Sequence, residues 1–186
     1  MRLRSHWAST APLWSHGDDV IAWHVVFDGQ LDFLANWLAP MLDRPYLSPV
    51  PPQWLHLTVK GVSRAGKVAE DELARLVAAA QERCAVLEPI DALLGPVRVV
   101  DEGVTADAVP HEPLVALYDA LPGDDDGDFW PHVTFAYANA EAEMDEVEAN
   151  AFEAVRIDAV ALLRLRRGEE LYDWDVLATV PLASCA

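Results

Sequence analysis

Two five-residue segments of the chain share one pattern, in which a tryptophan is followed two positions later by histidine and four positions later by threonine. The segments are Trp-Leu-His-Leu-Thr at 54–58 and Trp-Pro-His-Val-Thr at 130–134. Side chains of an extended strand alternate between two faces, so His56 and Thr58 would share one face while the apolar residues beside them occupy the other. The same holds for His132 and Thr134. The repeat therefore predicts two half-buried strands that each present an imidazole and a hydroxyl.

The repetition of this pattern carries more weight than either segment alone. The chain has six histidines and five threonines, so chance places a threonine two positions after a given histidine in only about 3% of cases. The alternative is that both histidines are ordinary core residues, bonded to neighbouring polar groups. The shared tryptophan and the duplication favour a functional interpretation.

Composition predicts one globular domain. The chain has 186 residues, of which 52% are hydrophobic and 24% are charged, and this is enough to bury a sizeable core. No apolar stretch approaches the length of a membrane span, and no apolar region of a signal peptide follows the basic N-terminus. We therefore expect a single domain over 1–186, with 1–19 as an N-terminal extension, in the cytoplasm and without a membrane partner.

The two cysteines and the charge balance exclude further classes. Cys84 and Cys185 form neither a disulfide framework nor a zinc-ligand spacing, and Cys84 is expected to be an inert buried thiol. A formal net charge of -18 should repel long polyanions, so nonspecific nucleic-acid binding is not expected. One tight basic cluster occurs, at Arg164, Arg166 and Arg167. It is either a phosphate-binding group or a solvated strand end.

Hydrophobic periodicity predicts two halves with a similar order of elements, around motifs that lie 76 residues apart (132 minus 56). In each half a strand and a helix precede the His-x-Thr strand, and a helix and further strand follow it. Predicted strands cover 20–27, 90–94, 97–100, 104–109, 155–165 and 171–180, together with the two His-x-Thr strands, of which the first ends at Gly61. Predicted helices cover 31–41, 68–87, 110–121 and 140–152. The last two strands would form an antiparallel hairpin around Gly168. The fold class is therefore α+β, with two pseudo-symmetric lobes of antiparallel sheet, covered by helices, around a central cleft.

Paired histidines suit the cleavage of phosphodiesters. In-line displacement at phosphorus needs a base for the nucleophile and an acid for the leaving oxygen. Histidine, with an ordinary pKa of about 6.5, supplies either form near neutral pH. Thr58 and Thr134 would donate hydrogen bonds to the phosphate oxygens as charge develops, without a metal ion. The alternative for each threonine is ordinary strand propensity.

The motifs resemble those of the two-histidine (2H) phosphoesterase superfamily, which includes the 2',5'-RNA ligase-like proteins and cyclic nucleotide phosphodiesterases. The resemblance rests on His-Leu-Thr-Val at 56–59, Pro-His-Val-Thr-Phe-Ala-Tyr at 131–137, and the closing hairpin with Tyr172 and Pro181-Leu182. It implies a bilobed fold and metal-independent hydrolysis of 2',3'-cyclic phosphates or 2',5' linkages, in some members reversible as ATP-independent ligation. It also implies that His56 and His132 are the acid/base pair, that Thr58 and Thr134 bind phosphate, and that no cofactor takes part.

Further residues are candidates for substrate binding. Trp54 and Trp130 share the histidine face by parity and would stack on a base or ribose, although aromatic residues at strand entrances also serve packing. Tyr172 is a similar candidate. Lys60 departs from the uncharged polar residue that is commoner in the branch that the chain resembles. It either contacts phosphate or marks an exposed strand end. Arg166 is the member of the arginine cluster that is a candidate for contact with the phosphate.

The remaining histidines are assigned no catalytic part. His24 is expected to be a polar group of the first strand with its hydrogen bonds satisfied. The other three carry no motif: His6, His16 and His111.

Two other functions compete with this interpretation. A metal-dependent hydrolase would use the aspartates just before the second motif, but neither motif histidine lies at a metal-binding spacing from another ligand. Those aspartates are Asp124, Asp125, Asp126 and Asp128. A non-catalytic nucleotide-binding module would keep the cleft without turnover. We expect a monomeric enzyme that acts on a small nucleotide or an RNA terminus.

Overall fold

The computed structural model describes residues 1–11, 14, 18–124, 129–145 and 148–183. Its strands are β1 (Arg2–Leu3), β2 (Asp19–Val26), β3 (Leu47–Pro49), β4 (His56–Arg64), β5 (Ile90–Val100), β6 (Gly103–Val109), β7 (His132–Ala138), β8 (Ala142–Glu143), β9 (Glu148–Ala149), β10 (Glu153–Ile157), β11 (Ala159–Arg167) and β12 (Tyr172–Pro181). Its α-helices are α1 (His6–Thr10), α2 (Asp32–Leu42), α3 (Glu70–Cys84) and α4 (His111–Ala120). Two short 3-10 turns cover Pro52–Trp54 and Ala65–Lys67.

The main sheet is antiparallel and divides into two lobes. Its strands follow the order β10-β5-β6-β7-β4-β2-β11-β12. The two motif strands, β4 and β7, meet in the middle, where Leu57 pairs with Val133. In this order four strands lie on each side of the seam, and two short strands pair in addition, β3 with β7 and β9 with β5. The predicted α+β class with two pseudo-symmetric lobes is confirmed.

Alternation of side chains explains how the motif strands are held. In β4 the fully buried Leu57 and the buried Val59 lie on one face, whereas His56 and Thr58 lie on the other and are more exposed. In β7 Val133 is likewise fully buried between two partly exposed motif residues. Apolar burial on one face thus fixes the orientation of the polar groups on the other.

Helix α3 lies against β12 and α4. Three acidic residues occupy its first turn, where they complement the partial positive charge of a helix N-terminus. Its buried residues are Ala80 and Cys84, and the Cys84 thiol is free. Burial raises the pKa of that thiol, which agrees with the predicted inert thiol.

The predicted helix over 140–152 is wrong. Part of this segment forms the short strands β8 and β9, which pair with β1 and β5. Alanine and glutamate favour a helix locally, but pairing with strands distant in sequence overrides that preference. The second half of the chain therefore has no helix in this part of its described residues, and the predicted order of elements differs between the halves here.

Two strand predictions are corrected at their boundaries. The segments 90–94 and 97–100 form one strand, β5, whose register with β6 shifts between Leu94 and Val97. The segment 155–165 instead divides into β10, which pairs with β5, and β11, which pairs with β2. The sequence of a continuous apolar run does not show that its two ends belong to strands of different lobes. The closing hairpin is confirmed, because β11 and β12 pair on either side of Gly168.

The N-terminal segment, residues 1–11, is attached to the second lobe. Strand β1 pairs with β8, and the terminal ammonium of Met1 donates a hydrogen bond to the Met144 carbonyl at 2.8 Å. The Ser5 hydroxyl caps α1 by accepting a hydrogen bond from the Ala8 amide. Among the described residues, no helix combines the length and apolar character that a membrane crossing requires.

Candidate active site

Both motif strands contribute to one cavity of about 460 Å³. The cavity brings together six of the predicted site residues, from both lobes: His56, Thr58, Trp130, His132, Thr134 and Tyr172. A volume of this order suits a ligand the size of a small organic molecule.

His56 is held by its backbone and by two rings. Its Nδ1 lies 2.9 Å from the carbonyl oxygen of Trp54, so in the neutral ring Nδ1 carries the proton and Nε2 is left as the acceptor. The rings of His24 and Trp174 both pack edge-on against it, each with its centroid 5.0 Å from that of His56. Burial lowers the pKa of His56 to about 4, against the opposing effect of the hydrogen bond to Trp54. His56 is therefore neutral near neutral pH.

His132 is held by the same kind of hydrogen bond to a backbone carbonyl, but its neighbours are more polar. Its Nδ1 lies 2.8 Å from the Trp130 carbonyl oxygen, and its ring stacks on the Trp130 ring at a centroid distance of 4.0 Å. The indole Nε1 of Trp130 donates to Asp107 Oδ1 at 2.9 Å, and Asp107 also forms an ion pair with Arg98. Burial lowers the pKa of His132, whereas the hydrogen bond to Trp130 and the charge of Asp107 act to raise it.

The two threonines differ in their surroundings. Thr58 is exposed, whereas Thr134 is half-buried, three residues before Tyr137 on the same strand. Burial raises the pKa of Tyr137, so its hydroxyl stays protonated. Each lobe thus places one imidazole and one hydroxyl at the same cavity, as their strand parity predicts.

Three of the predicted binding residues are not among the described residues that line the cavity. Trp54 packs edge-on against Trp174 at a centroid distance of 4.7 Å. The Lys60 ammonium donates to the Tyr118 carbonyl at 3.3 Å and lies over that residue's ring. Arg166 forms ion pairs with Asp173 and Asp175 on β12.

The arginines at 166 and 167 of the predicted cluster likewise bond to partners within the protein, and these partners differ. Arg167 is buried, and its guanidinium donates to the carbonyl oxygens of Trp7 and Trp14. Arg166 is instead partly exposed, in the ion pairs just described. The arginines at 166 and 167 thus hold the hairpin and the N-terminal segment in place rather than meeting at the cavity.

His6 lines the cavity although no sequence pattern singles it out. Its Nδ1 lies 2.9 Å from Glu102 Oε2 and its Nε2 lies 2.7 Å from the Tyr172 hydroxyl. Its ring also stacks on Tyr137 at a centroid distance of 4.5 Å. These partners lie about a hundred or more residues away in sequence, so no spacing rule could have linked them.

His24 corrects a smaller expectation. It is 1% exposed, with Nδ1 at 3.2 Å from the Ala22 carbonyl oxygen, but its Nε2 finds no hydrogen-bond partner among the residues described. Only one of its two ring nitrogens therefore has a hydrogen-bond partner among the residues described. Burial lowers the pKa of His24 well below its ordinary value, so the ring is neutral. Of the other two histidines, His111 begins α4 and His16 lies outside the described residues.

No group of three or more metal-ligating side chains occurs in the described part of the chain. Of the four aspartates before the second motif, Asp124 donates its backbone amide to the Gly61 carbonyl at 2.9 Å. The other three, Asp125, Asp126 and Asp128, lie outside the described residues.

Solved structures share this fold. TT0787 of Thermus thermophilus is 22% identical, with a TM-score of 0.67 over 88% of this chain and 97% of that chain. E. coli LigT in complex with 3'-AMP is 16% identical, with a TM-score of 0.70, and the complex with NADP+ is 17% identical, with a TM-score of 0.69. Both comparisons cover 90% of this chain and 99% of LigT. No significant match occurs among curated proteins.

The sequence model of the 2'-5' RNA ligase superfamily matches residues 32–169. The matched segment contains both His-x-Thr strands and the seam between the lobes. With this match over most of its length, the chain belongs to the 2'-5' RNA ligase superfamily.

Proposed function

We propose that the protein is a metal-independent phosphoesterase that cleaves 2',3'-cyclic phosphates or 2',5'-phosphodiesters of nucleotides or RNA ends. The observation that carries this proposal is that both His-x-Thr pairs line one cavity from opposite sides of the lobe seam. Each histidine bonds a backbone carbonyl through Nδ1, which leaves Nε2 for proton transfer. Two imidazoles held in this way supply the base and the acid of an in-line displacement.

The two histidine environments support different roles. His56, whose pKa is about 4, is neutral and suits the general base. Burial lowers the pKa of His132, but the Trp130 carbonyl and the charge of Asp107 oppose this, and a bound phosphate anion would favour the imidazolium further. We therefore assign the base to His56 and the acid to His132 in the hydrolytic direction.

The reaction then balances without another reactant. His56 Nε2 takes a proton from water as the water oxygen bonds to phosphorus, and the bond from phosphorus to the 2' or 3' oxygen breaks. His132 Nε2–H gives its proton to that leaving oxygen. Thr58 and Thr134 donate hydrogen bonds to the non-bridging oxygens, where charge develops. The same steps with a ribose hydroxyl in place of water as the nucleophile would join two RNA ends without ATP, because the new bond to phosphorus forms as a phosphorus–oxygen bond of the 2',3'-cyclic phosphate breaks.

Cavity size and net charge support a small substrate. A cavity of about 460 Å³ fits a nucleotide-sized ligand, and LigT, which has the same fold, is known in complex with 3'-AMP and with NADP+. The formal net charge of -18 opposes the approach of a long polyanion. We therefore expect nucleotides or short RNA ends rather than internal sites of long RNA.

The test is hydrolysis of 2',3'-cyclic nucleotides and 2',5'-linked dinucleotides in the presence of EDTA. Wild type should turn over, whereas His56→Ala and His132→Ala should lose at least about 100-fold in kcat, the usual size of an acid-base contribution. His111→Ala is the matched control, because His111 is exposed on α4 and is not among the described residues of the cavity lining.

Three results would contradict the proposal. Undiminished turnover in either motif variant would remove the histidine mechanism. Loss of turnover in EDTA, with recovery on adding a divalent ion, would indicate a metal-dependent hydrolase. Nucleotide binding without turnover of any substrate by folded wild type would indicate a binding module.

A further inference from the structure

The N-terminal segment contributes a second group of polar residues to the same cavity. His6 and Thr10 of α1 line it, together with Asp101 and Glu102 of the turn between β5 and β6. The Arg4 amide donates to the Asp101 carbonyl at 2.7 Å, which fixes the segment beside this turn. Residues 1–11 precede the part of the chain that matches the superfamily, 32–169. These four lining residues form one wall of the cavity. Part of this wall is therefore built by residues outside the family match.

Glu102, His6 and Tyr172 form a hydrogen-bonded relay in this wall. Burial raises the pKa of Tyr172 to about 12, so its hydroxyl keeps a proton that can be donated to His6 Nε2. Burial lowers the pKa of His6, and in the neutral ring the other nitrogen, Nδ1, then donates to Glu102 Oε2. Ser9 Oγ donates to the second carboxylate oxygen at 2.7 Å.

The direction of this relay determines what the wall can bind. Its protons point toward Glu102, whose side chain is 31% exposed, so lone pairs of the carboxylate remain on the accessible side. A carboxylate accepts hydrogen bonds and repels anions. The complementary ligand group is therefore an uncharged donor and not a second phosphate. This sets the wall apart from the end of the cavity that carries the two His-x-Thr pairs.

A separate buried hydroxyl also indicates a ligand in this cavity. Thr105 lines the cavity and is 3% exposed, yet its Oγ1 finds no hydrogen-bond partner among the described residues. Buried hydroxyls are nearly always paired. A polar ligand with both donors and acceptors could provide the missing partner.

We propose that Glu102, held by His6 and Ser9, is the nucleobase-recognition group of this cavity and selects bases that present amino and ring N–H donors. The inference rests on the proposed nucleotide substrate and adds the base preference. Guanine offers two adjacent donors, which match a carboxylate in a bidentate arrangement. Uracil offers a single N–H flanked by two carbonyl oxygens, which the carboxylate repels. Guanosine nucleotides should therefore bind more tightly than uridine nucleotides.

The test measures binding by calorimetry, independently of turnover, with guanosine 3'-monophosphate, uridine 3'-monophosphate and inorganic phosphate. Wild type should prefer the guanosine nucleotide by about 10- to 100-fold, the range expected for hydrogen bonds to a charged group. Glu102→Gln should lose most of this preference and leave the affinity for phosphate unchanged. The unchanged phosphate affinity also shows that the variant is folded.

Glu141→Gln is the matched control. Glu141 forms an exposed ion pair with Arg2 of the same N-terminal segment but is not among the described residues that line the cavity. This variant should keep the wild-type base preference. Equal affinity of wild type for the two nucleotides, or an undiminished preference in Glu102→Gln, would overturn the inference.

The outcome separates this inference from the proposed function. A base preference that depends on Glu102, in a protein without turnover, would support the recognition group and contradict the phosphoesterase. Turnover that depends on His56 and His132, with no effect of Glu102→Gln on base preference, would do the reverse.

Discussion

His24 and Thr105 occupy equivalent positions in the two lobes. His24 on β2 pairs in register with Thr58, and Thr105 on β6 pairs in register with Thr134. Both residues are buried, and each has a polar side-chain atom without a hydrogen-bond partner among the described residues. The pseudo-symmetry thus extends from the motif strands to their neighbours. The neighbours differ chemically, however, so the two halves of the site are unequal.

His24 is expected to position His56. His24→Ala would remove the ring that packs at 5.0 Å against the His56 ring, and a small displacement of a catalytic group can cost about 10- to 100-fold in rate. We expect kcat to fall by that amount with KM nearly unchanged. His24→Phe, which keeps a neutral ring in the same place, should restore most of kcat. Steady-state kinetics of both variants would check this, and equal kcat values in His24→Ala and His24→Phe would contradict a packing role.

The two motif threonines should differ in their effect on stability. Thr58→Val and Thr134→Val each remove a proposed phosphate donor and should lower kcat/KM by roughly 100-fold. Thr134 is half-buried, so Thr134→Val should change the free energy of unfolding more, by about 1 kcal/mol. Thr58 is exposed, so its substitution should leave stability nearly unchanged. Urea denaturation of the two variants measures the difference, and equal midpoints would contradict it.

The sequence was sufficient to predict the centre of the site. Alternation within the two motifs places apolar residues on one face, and burial of Leu57 and Val133 then forces the histidines and threonines onto the other. These are local relationships that a strand period of two reveals. The closing hairpin was predictable from another local signal, two strand-like runs joined around Gly168.

The outer wall of the site was not predictable from the sequence. The segment that carries His6 is held by the pairing of β1 with β8 and by the hydrogen bond from the Arg4 amide to the Asp101 carbonyl. Strand β8 lies within a segment whose composition favours a helix. The division of 155–165 between the lobes likewise depends on which sheet edge each half meets. Lys60 and Trp54 show a further limit, because parity gives the face of a strand but not the distance to the cavity.

The pH optimum of kcat/KM should lie below about 6.5, the pKa of an ordinary histidine. In the proposed mechanism activity requires neutral His56, so it should rise as pH increases through about 4. It also requires protonated His132, so it should fall as pH increases through a pKa that burial holds below 6.5. A pH-rate profile of wild type measures both limbs.

Asp107→Asn tests which limb belongs to His132. Loss of the carboxylate removes a charge that raises the His132 pKa, so the basic limb should move to lower pH while the acidic limb stays near 4. Asparagine keeps an acceptor for the Trp130 indole, which limits structural change. A shift of the acidic limb instead would reverse the assignment of acid and base.

Buried neutral histidines should also make stability depend on pH. In the unfolded chain His24 and His56 bind protons below about pH 6.5, whereas in the folded protein their pKa values are lowered, that of His56 to about 4. The unfolded state therefore binds more protons between these limits, so stability is present above pH 6.5 and is lost as pH falls toward 4. We expect the thermal midpoint of wild type to drop over this interval. His24→Phe, which has one titrating group fewer, should show a shallower drop, and an identical slope in both proteins would show that His24 does not contribute.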